Sequence, residues 1–390
     1  MRSMIGWITS ALFVLGAAAA EPPLVVGAVV SQSGPHAAAA AEYEKGMRLW
    51  EEEVNAAGGL LGRRVELRFE DDGSEAVRAG AAYAEMIRDG VQLFIGPYGS
   101  AATLTGAAEV ERARRIMLNA GGPSTTVHKR QLQYVFQTVP PYAAYGEGAL
   151  AAAHDAGVTS LYIAARDDAA SRDMAEATQT EARTLGFDHV ELEVYSGSTA
   201  DFLPQLYKAM GVNADGWIAF GEVRDAADMV KTLKRQGYVP KILYLRGSVD
   251  PRFTKLVGQD AEFILGSTEY DPRFPTEGNA EFVKAFTAKW QGRPGAEAAA
   301  GYTAGVVLTA AVRSAGTLDV AKLRAALAAL EIDTLLGPYR VDPASGAQLG
   351  MKPPLTQIVK GRREIVWPEA LAGEREVAPF VPWAERKILR

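Results

Sequence analysis

The stretch Ile95 to Thr103, which reads IGPYGSAAT, places two glycines, a proline and a serine between an apolar run and a helix-like segment. Glycine and proline set tight turns, and a serine at a helix start caps free backbone N–H groups. A well-made turn is therefore one interpretation. The other is an anion seat, because uncapped N–H groups, the Ser100 hydroxyl and the positive end of a helix dipole together attract a group such as a carboxylate.

Short apolar runs and helix-like segments alternate along the chain around this turn. The run Leu24 to Val30 predicts a strand, and Ala37 to Ala57 predicts a helix. This helix has an apolar face of residues three and four apart, among which we expect Trp50 to be a core residue: Tyr43, Met47, Trp50 and Val54. Repeated strand-helix-strand units predict a mostly parallel sheet covered on both faces.

A second α/β unit follows Pro140 and Pro141 and extends to a strand that ends at Leu245. Two open units in series predict two doubly wound sheets whose loops line one cleft, because ligands bind beyond the carboxyl ends of parallel strands. Three helix-like stretches between Asn279 and Leu330 do not alternate with strong strands. We expect them to cover the first sheet.

The first twenty residues predict a secretory signal peptide, with one arginine, an apolar run from Ile5 to Gly16 and small residues ending at Ala20. The apolar run is shorter than the ~20 residues needed to span a bilayer, so a membrane anchor is the weaker interpretation. The mature chain would begin at Glu21. An exported protein without cysteine uses no disulfides, and the bacterial periplasm is the compartment that fits best.

Composition limits the partners of the mature chain. A length of 390 residues predicts two domains. Without the arginine of the signal peptide, 40 basic residues stand against 47 acidic ones, which gives no reason to expect nucleic acid or an anionic membrane as partner. No later segment is long and apolar enough to predict membrane insertion, and we expect a monomer.

Several segments carry a family resemblance. They are VVGAVVSQSGPHA at 25–37, VNAAGGLLGRRVELRFEDDGS at 54–74, LFIGPYGSAAT at 93–103, RIMLNAGGPST at 115–125 and LYIAARDDAASRD at 161–173. In these segments and their order the chain resembles the leucine/isoleucine/valine-type periplasmic solute-binding proteins of ABC importers. The resemblance covers nearly the whole mature chain.

The resemblance implies a type I periplasmic-binding-protein fold, in which two mostly parallel, doubly wound sheets form two lobes joined by a three-segment hinge. The implied crossings are Phe136 to Pro141, Gly266 to Tyr270, and a third between Gly337 and Asp342. Residues 21–138 and 267–338 would then form lobe one. Residues 139–266 and 339–390 would form lobe two, including a proline-rich tail around Trp383 that has no counterpart in the expected pattern.

The resemblance also implies the carboxylate grip of lobe one. The residues expected to hold the ligand carboxylate follow two strands of the first sheet, and two tyrosines could form the wall of an aromatic ligand. These positions are Tyr98, Gly99, Ser100, Gly121, Gly122, Ser124 and Tyr302. Hydroxyl and backbone N–H groups suit a planar carboxylate, and glycine allows close approach of the main chain.

Lobe two departs from the amino-acid pattern of the family. Ala170 and Arg246 stand where amino-acid binders place a tyrosine and an acid that hold the ligand ammonium. An ammonium beside an arginine is repelled in a dry cleft. A ligand without an amine is favoured, such as a keto or aromatic carboxylate, or one whose second carboxylate faces Arg246 or Arg166. The alternative is a hydrophobic amino acid whose ammonium is held by Glu222.

These features predict a binding protein without covalent chemistry or a cofactor. It would capture a small organic carboxylate and deliver it to the permease subunits of an ABC importer. A ligand-sensing or accessory protein of a periplasmic sensor or dehydrogenase system is an alternative, and bulkier ligands such as polycarboxylate quinone cofactors remain open. The sequence has no G-x-S-x-G, H-E-x-x-H or G-x-x-x-x-G-K motif and no cysteine nucleophile, which argues against an enzyme.

Overall fold

A computed structural model describes residues 21–373, 375 and 377–386. The predicted signal peptide, residues 1–20, lies outside the described residues. The described chain forms two lobes, each built on its own sheet with helices on both faces, and the predicted α/β fold is confirmed.

The first lobe is built on a five-stranded sheet in which every neighbouring pair is parallel, in the order β2-β1-β3-β4-β5. Its strands are β1 (Leu24–Val30), β2 (Val65–Asp71), β3 (Leu93–Ile95), β4 (Ile116–Asn119) and β5 (Val135–Gln137). The helices between them are α1 (Ala37–Ala56), α2 (Ala76–Arg88), α3 (Ser100–Arg112) and α4 (Thr125–His128). The parallel register, in which Ile95 pairs with Leu118, brings the loops after β3 and β4 to the same sheet edge.

The second lobe is built on a seven-stranded mixed sheet, in the order β14-β13-β10-β9-β8-β6-β7. Its strands are β6 (Ser160–Arg166), β7 (His189–Tyr195), β8 (Gly216–Phe220), β9 (Ile242–Leu245), β10 (Leu265–Ser267), β13 (Leu355–Val359) and β14 (Arg362–Trp367). Its helices are α5 (Glu147–Asp155), α6 (Ala169–Thr184), α7 (Leu203–Gly211), α8 (Val223–Arg235), α9 (Phe253–Val257) and α13 (Glu369–Ala372). Strands β6 to β10 pair in parallel, whereas β13 and β14 are antiparallel additions.

Three later helices return to the first lobe as predicted, together with a small hairpin of β11 (Ile332–Thr334) and β12 (Gly337–Tyr339). The helices are α10 (Asn279–Trp290), α11 (Ala296–Ala315) and α12 (Val320–Ala329). Helix α11 packs against α1, where Trp50 is buried and its indole N–H donates to the Thr309 hydroxyl at 2.9 Å. A Cβ at Gly305 would lie 2.1 Å from the Trp50 ring, so only glycine permits this close approach of the helices.

The strands β13 and β14 have no counterpart among the strands predicted from the sequence. They are joined by a tight turn in which Lys360 and Gly361 both have positive φ, at 53° and 69°. Two such residues suit the twist of a two-residue hairpin. The short apolar segments Ile358-Val359 before this Lys-Gly pair and Ile365-Val366-Trp367 after it are the signal that could have indicated the hairpin.

The third crossing between the lobes lies later than the predicted segment Gly337 to Asp342. Residues 342–350 run along the edge strand of the first sheet, where the Gly346 carbonyl accepts from the Gln137 N–H at 2.9 Å. The Ser345 carbonyl accepts from His128 Nδ1 at 2.9 Å. The chain enters the second sheet only at Leu355, so residues 339–351 belong with the first lobe.

The proline-rich tail packs on the second lobe. Phe380 and Trp383 are buried in the core beneath α8, and the Trp383 indole N–H donates to the Tyr238 carbonyl at 2.7 Å. The Arg386 guanidinium lies over both rings, 4.0 and 3.8 Å from their centroids. Burial lowers the pKa of Arg386 to about 10.

Within the described residues, no single helix has the length and apolar character to cross a membrane. The helices α11 and α12 meet those criteria only as a pair bent by 116°, and both contribute buried residues to the core of the first lobe.

Candidate ligand-binding site

A cavity of about 870 Å³ lies between the two lobes, at the carboxyl ends of their parallel strands. This volume falls in the range of small-molecule sites, roughly 300–1,000 Å³. The first lobe contributes the loops after β3 and β4 and the start of α11, and the second lobe contributes the start of α6 and the residue after β9. The two lobes thus share one cavity.

The start of α3 forms the wall of the cavity on the first lobe. Its N-cap is Gly99, with φ 96°, and no side chain caps the first N–H groups of the helix. Gly121 lies against this turn, since its carbonyl accepts from the Gly99 N–H at 2.8 Å and a Cβ there would meet the Pro97 carbonyl at 2.2 Å. Ser100, Gly99 and Gly121 therefore line the cavity beside unpaired backbone donors, which is the geometry of an anion seat.

Aromatic side chains from both lobes also line the cavity. The Tyr98 ring packs edge-on against His36, with centroids 5.8 Å apart. Across the cavity, Tyr142 and Tyr145 stack edge-on at 5.7 Å, directly after the first crossing. Burial raises the pKa of Tyr142 to about 12, and it raises that of Tyr145 well above its usual range, so both are neutral hydroxyl donors at physiological pH.

Arg246 is the first residue after β9 and lines the cavity from the second lobe. Its guanidinium lies 5.7 Å from the centroid of the Tyr145 ring, and its buried Nε has no hydrogen-bond partner. Burial opposes the charge, but the surrounding Tyr145 and Glu269 favour it, and the net result is a raised pKa. Arg246 makes no ion pair within 4.0 Å with any residue that the structure describes, so a charged group in the cavity is available to an anion.

Two of the carboxylates that line the cavity, Glu269 and Glu297, lie near the crossing segments and the start of α11. Glu269, at the second crossing, accepts a hydrogen bond from the Tyr145 hydroxyl. Glu297, in the first turn of α11, is partly buried, and burial followed by the charge of Glu269 raises its pKa. The cavity therefore brings Arg246, which makes no ion pair with a described residue, close to these two acids.

Ser124 lines the cavity, but its hydroxyl points to the other lobe. It donates to the Asp173 carboxylate of α6 at 2.9 Å, and the Thr125 N–H donates to the same carboxylate at 2.8 Å. The Ser124 N–H donates to the Ser100 hydroxyl at 3.2 Å. Ser124 thus joins the start of α3 to the second lobe.

Arg166 and Glu222, two of the residues expected to meet the ligand, do not line this cavity. Arg166 donates to the buried Asp225 carboxylate at 3.1 Å, which also accepts from the Tyr195 hydroxyl. Glu222 is the N-cap of α8, and its side chain is 68% exposed. Arg166 is the last residue of β6 and Glu222 lies two residues after β8, but their side chains contact groups of their own lobe.

Gly122 and Tyr302 also lie outside the cavity lining. The Gly122 N–H donates to the Asn119 side chain at 2.9 Å behind the cavity wall. The Tyr302 hydroxyl hydrogen-bonds to Glu53 between α1 and α11, and its ring packs on Phe282 with centroids 4.7 Å apart. The structure therefore brings together Tyr98, Gly99, Ser100, Gly121, Ser124 and Arg246 from the predicted set.

Sequence reasoning did not identify four of the lining residues, Tyr142, Tyr145, Glu269 and Glu297. Glu269 lies in the predicted second crossing, and Tyr142 and Tyr145 follow the predicted first crossing. The polar and aromatic side chains beside the predicted hinge are the sequence feature that could have identified these residues, because hinge residues border the cleft that closes around a ligand.

The acidic run Glu70-Asp71-Asp72 lies at the end of β2, and its carboxylates bind backbone and hydroxyl groups of the neighbouring loops. Asp71 accepts from the N–H groups of Gln32 and Gly73 at 2.9 and 2.8 Å, and the Asp72 carboxylate accepts from the Ser31 hydroxyl at 2.6 Å. Across the part of the chain that the structure describes, no group of three or more histidine, aspartate or glutamate side chains is arranged to hold a metal ion.

Comparison with known proteins agrees with this architecture. The Leu/Ile/Val-binding protein homolog 1 of Brucella abortus is 23% identical over 321 residues, which cover 82% of this chain and 85% of that protein. A substrate-binding protein from Desulfitobacterium hafniense, solved in complex with Leu, superposes with a TM-score of 0.72 and 22% identity, covering 89% of this chain and 100% of that one. A solute-binding protein from R. palustris, solved in complex with benzoate, superposes with a TM-score of 0.68 and 20% identity. The match covers 90% of this chain and 99% of that one.

The family comparison covers most of the chain. Residues 23–362 match the periplasmic binding protein family, which is nearly the entire two-lobed body. The resemblance inferred from the sequence motifs is confirmed: this chain belongs to the periplasmic binding protein family and is similar to its leucine/isoleucine/valine-type members.

Proposed function

We propose that this protein captures a small organic carboxylate between its lobes in the periplasm and delivers it to an ABC importer, with keto or aromatic acids as the favoured ligands. The observation that carries the proposal is the unpaired Arg246 guanidinium, which faces the same cavity as the uncapped start of α3. One carboxylate can lie at the helix start, where N–H groups and the dipole favour negative charge. A keto oxygen or second carboxylate can then meet Arg246.

The mechanism is binding with hinge closure. A ligand that contacts both lobes stabilises the closed form by its differential affinity, and the closed form is the one presented to the permease. Tyr98, Tyr142 and Tyr145 supply flat apolar surfaces for an aromatic or branched skeleton. The relative solved with benzoate supports an amine-free acid as a ligand of this fold.

A second candidate is a hydrophobic amino acid. It is favoured by Glu269 and Glu297, which line the cavity and make no ion pair within 4.0 Å with any described residue. Either carboxylate could hold an ammonium, whereas Glu222 does not line the cavity. The relative solved with Leu supports this candidate.

Thermal unfolding of the mature protein with matched ligand pairs separates the two candidates. Leucine is compared with 4-methyl-2-oxopentanoate, and phenylalanine with phenylpyruvate and benzoate. A ligand at ~1,000 times its dissociation constant adds about 4 kcal/mol of stability, which gives a clear midpoint shift. We expect stabilisation by the amine-free acids. Stabilisation by the amino acids alone would replace the proposed function with the second candidate.

Two Arg246 variants test the assigned contact. Arg246→Ala removes the cation, and we expect it to weaken binding of keto acids by about 2 kcal/mol or more. Arg246→Lys keeps the charge but not the planar fork, so partial affinity is expected. Unchanged affinity in Arg246→Ala, measured by calorimetry, would remove Arg246 from the site.

A further inference from the structure

The lobes are bridged by a carboxylate that the ligand-binding scheme does not use. Asp173, on the second turn of α6, accepts from the Thr125 N–H at 2.8 Å and from the Ser124 hydroxyl at 2.9 Å. The Thr125 hydroxyl donates to the other oxygen of the Asp173 carboxylate. Three donors of the first lobe therefore converge on one side chain of the second lobe.

These contacts continue to the ligand cavity. Ser124 is the N-cap of α4, and its N–H donates to the Ser100 hydroxyl at 3.2 Å. Ser100 opens α3 at the proposed carboxylate seat. Ser124 thus connects Ser100, at the proposed carboxylate seat, to Asp173 of the second lobe.

We propose that Asp173 is a closure latch and a positioning residue. It holds the closed form by accepting the three donors of Ser124 and Thr125, and through Ser124 it orients the Ser100 hydroxyl toward the ligand. Hydrogen bonds to an ionised carboxylate are about twice as strong as neutral ones, so three of them favour one lobe arrangement over the open one. The orientation of Ser100 rests on the proposed function, whereas the latch itself does not.

The alternative is that Asp173 only stabilises the local fold of α4 and α6. The distance between the lobes distinguishes the two roles, because a purely local role would leave that distance unchanged. The chain has no cysteine, so one cysteine can be introduced on each lobe for spin labels. Val77 on α2 and Tyr207 on α7 are suitable positions, because their side chains are 81% and 58% exposed.

Asp173→Ala and Thr125→Val are compared in this labelled background, without ligand and with saturating benzoate, leucine or 4-methyl-2-oxopentanoate. Glu181→Ala is the matched control, because it removes one acid from the exposed face of the same helix. We expect Asp173→Ala to lower the ratio of closed to open molecules about tenfold and Thr125→Val to lower it less, with Glu181→Ala unchanged. The double variant should lose less than the sum of the two single variants.

An unchanged distance distribution in Asp173→Ala, in every condition, overturns the latch. A change of equal size in Glu181→Ala also overturns it, because the effect would then come from the loss of a negative charge on α6 and not from the contact with Ser124 and Thr125. If none of the three probe ligands binds the wild type, the proposed ligand class fails, while the distances measured without ligand still decide the latch. Weaker binding of a probe ligand by Asp173→Ala with a faster dissociation rate is the expected kinetic result, since the latch acts after closure.

Discussion

The Tyr145 hydroxyl donates a hydrogen bond to the Glu269 carboxylate, and the two residues lie at two different crossings between the lobes. Tyr145 belongs to the 3₁₀ turn that follows the first crossing, and Glu269 comes two residues after β10. Arg246 lies over the same tyrosine ring. A ligand group that meets Glu269 therefore contacts a residue at one of the crossings, and Arg246 lies beside the same tyrosine.

The charge of Glu269 distinguishes the two candidate ligand classes. Glu269→Gln keeps an acceptor for Tyr145 but removes a negative charge from the cavity. We expect keto and aromatic acids to bind equally or more tightly, because repulsion of their carboxylate is reduced, and amino acids to bind at least about tenfold more weakly. Calorimetry with the matched pairs measures both. Tyr145→Phe is the control that removes the hydrogen bond and leaves the charge, and weaker keto-acid binding in Glu269→Gln would contradict the proposed ligand class.

Much of the architecture follows from the sequence pattern. The observed bounds of β1, Leu24 to Val30, coincide with the predicted ones, and α1 ends at Ala56, one residue before the predicted end, because turn residues flank both segments. The antiparallel pair β13 and β14 was not predicted, because strands added after a long helical stretch break the α/β alternation. The strand β13 pairs with β10, which is distant in the sequence, so the local sequence does not reveal this pairing.

The site was predictable by position but not by side-chain direction. The first lobe places Ser100 and Gly121 at the cavity through the backbone, because the Gly121 carbonyl accepts from the Gly99 N–H and fixes the turn before α3. Arg166 is the last residue of a strand, β6, yet its side chain turns toward Asp225, a buried acid 59 residues later in the chain. Such pairing depends on tertiary neighbours, and the same holds for Glu269 and Glu297, which the fold brings into the cavity from two separate segments.

The close contact at Gly121 should be intolerant of a side chain. In Gly121→Ala the new Cβ would press on the Pro97 carbonyl and the Tyr98 Cα, both backbone atoms. We expect a loss of about 1 to 3 kcal/mol in the free energy of unfolding and weaker binding of every carboxylate probe, because the Gly99 turn must shift. Urea unfolding and calorimetry measure the two effects. Gly211→Ala, at the end of α7 with no atom within 4 Å, is the control and should be neutral or slightly stabilising.

Glu297 should make stability depend on pH. Burial raises its pKa in the folded protein above the ordinary value of 4.5, so the folded state binds its proton more tightly than the unfolded state. Its contribution is fully present below pH 4.5 and is lost as pH rises through the raised pKa. Glu297→Gln should therefore raise the unfolding midpoint at pH 7 to 8, with a difference that shrinks toward pH 4. Glu181→Gln, on the exposed face of α6, is the control, and an equal shift at all pH values would contradict the assignment.

The tail should contribute to the stability of the second lobe without contributing to binding. Trp383 is buried in the core of that lobe and donates to the Tyr238 carbonyl, and neither it nor Arg386 lines the cavity between the lobes. Trp383→Ala should lower the free energy of unfolding by about 3 to 5 kcal/mol, because it leaves a large void and an unpaired carbonyl. Urea unfolding measures this loss, and Tyr207→Ala, an exposed aromatic of α7, should change stability by less than about 0.5 kcal/mol. Under conditions where Trp383→Ala is folded, its affinity for the carboxylate probes should equal that of the wild type. A selective loss of affinity would instead mean that the packing of the tail is transmitted through α8 and β9 to Arg246.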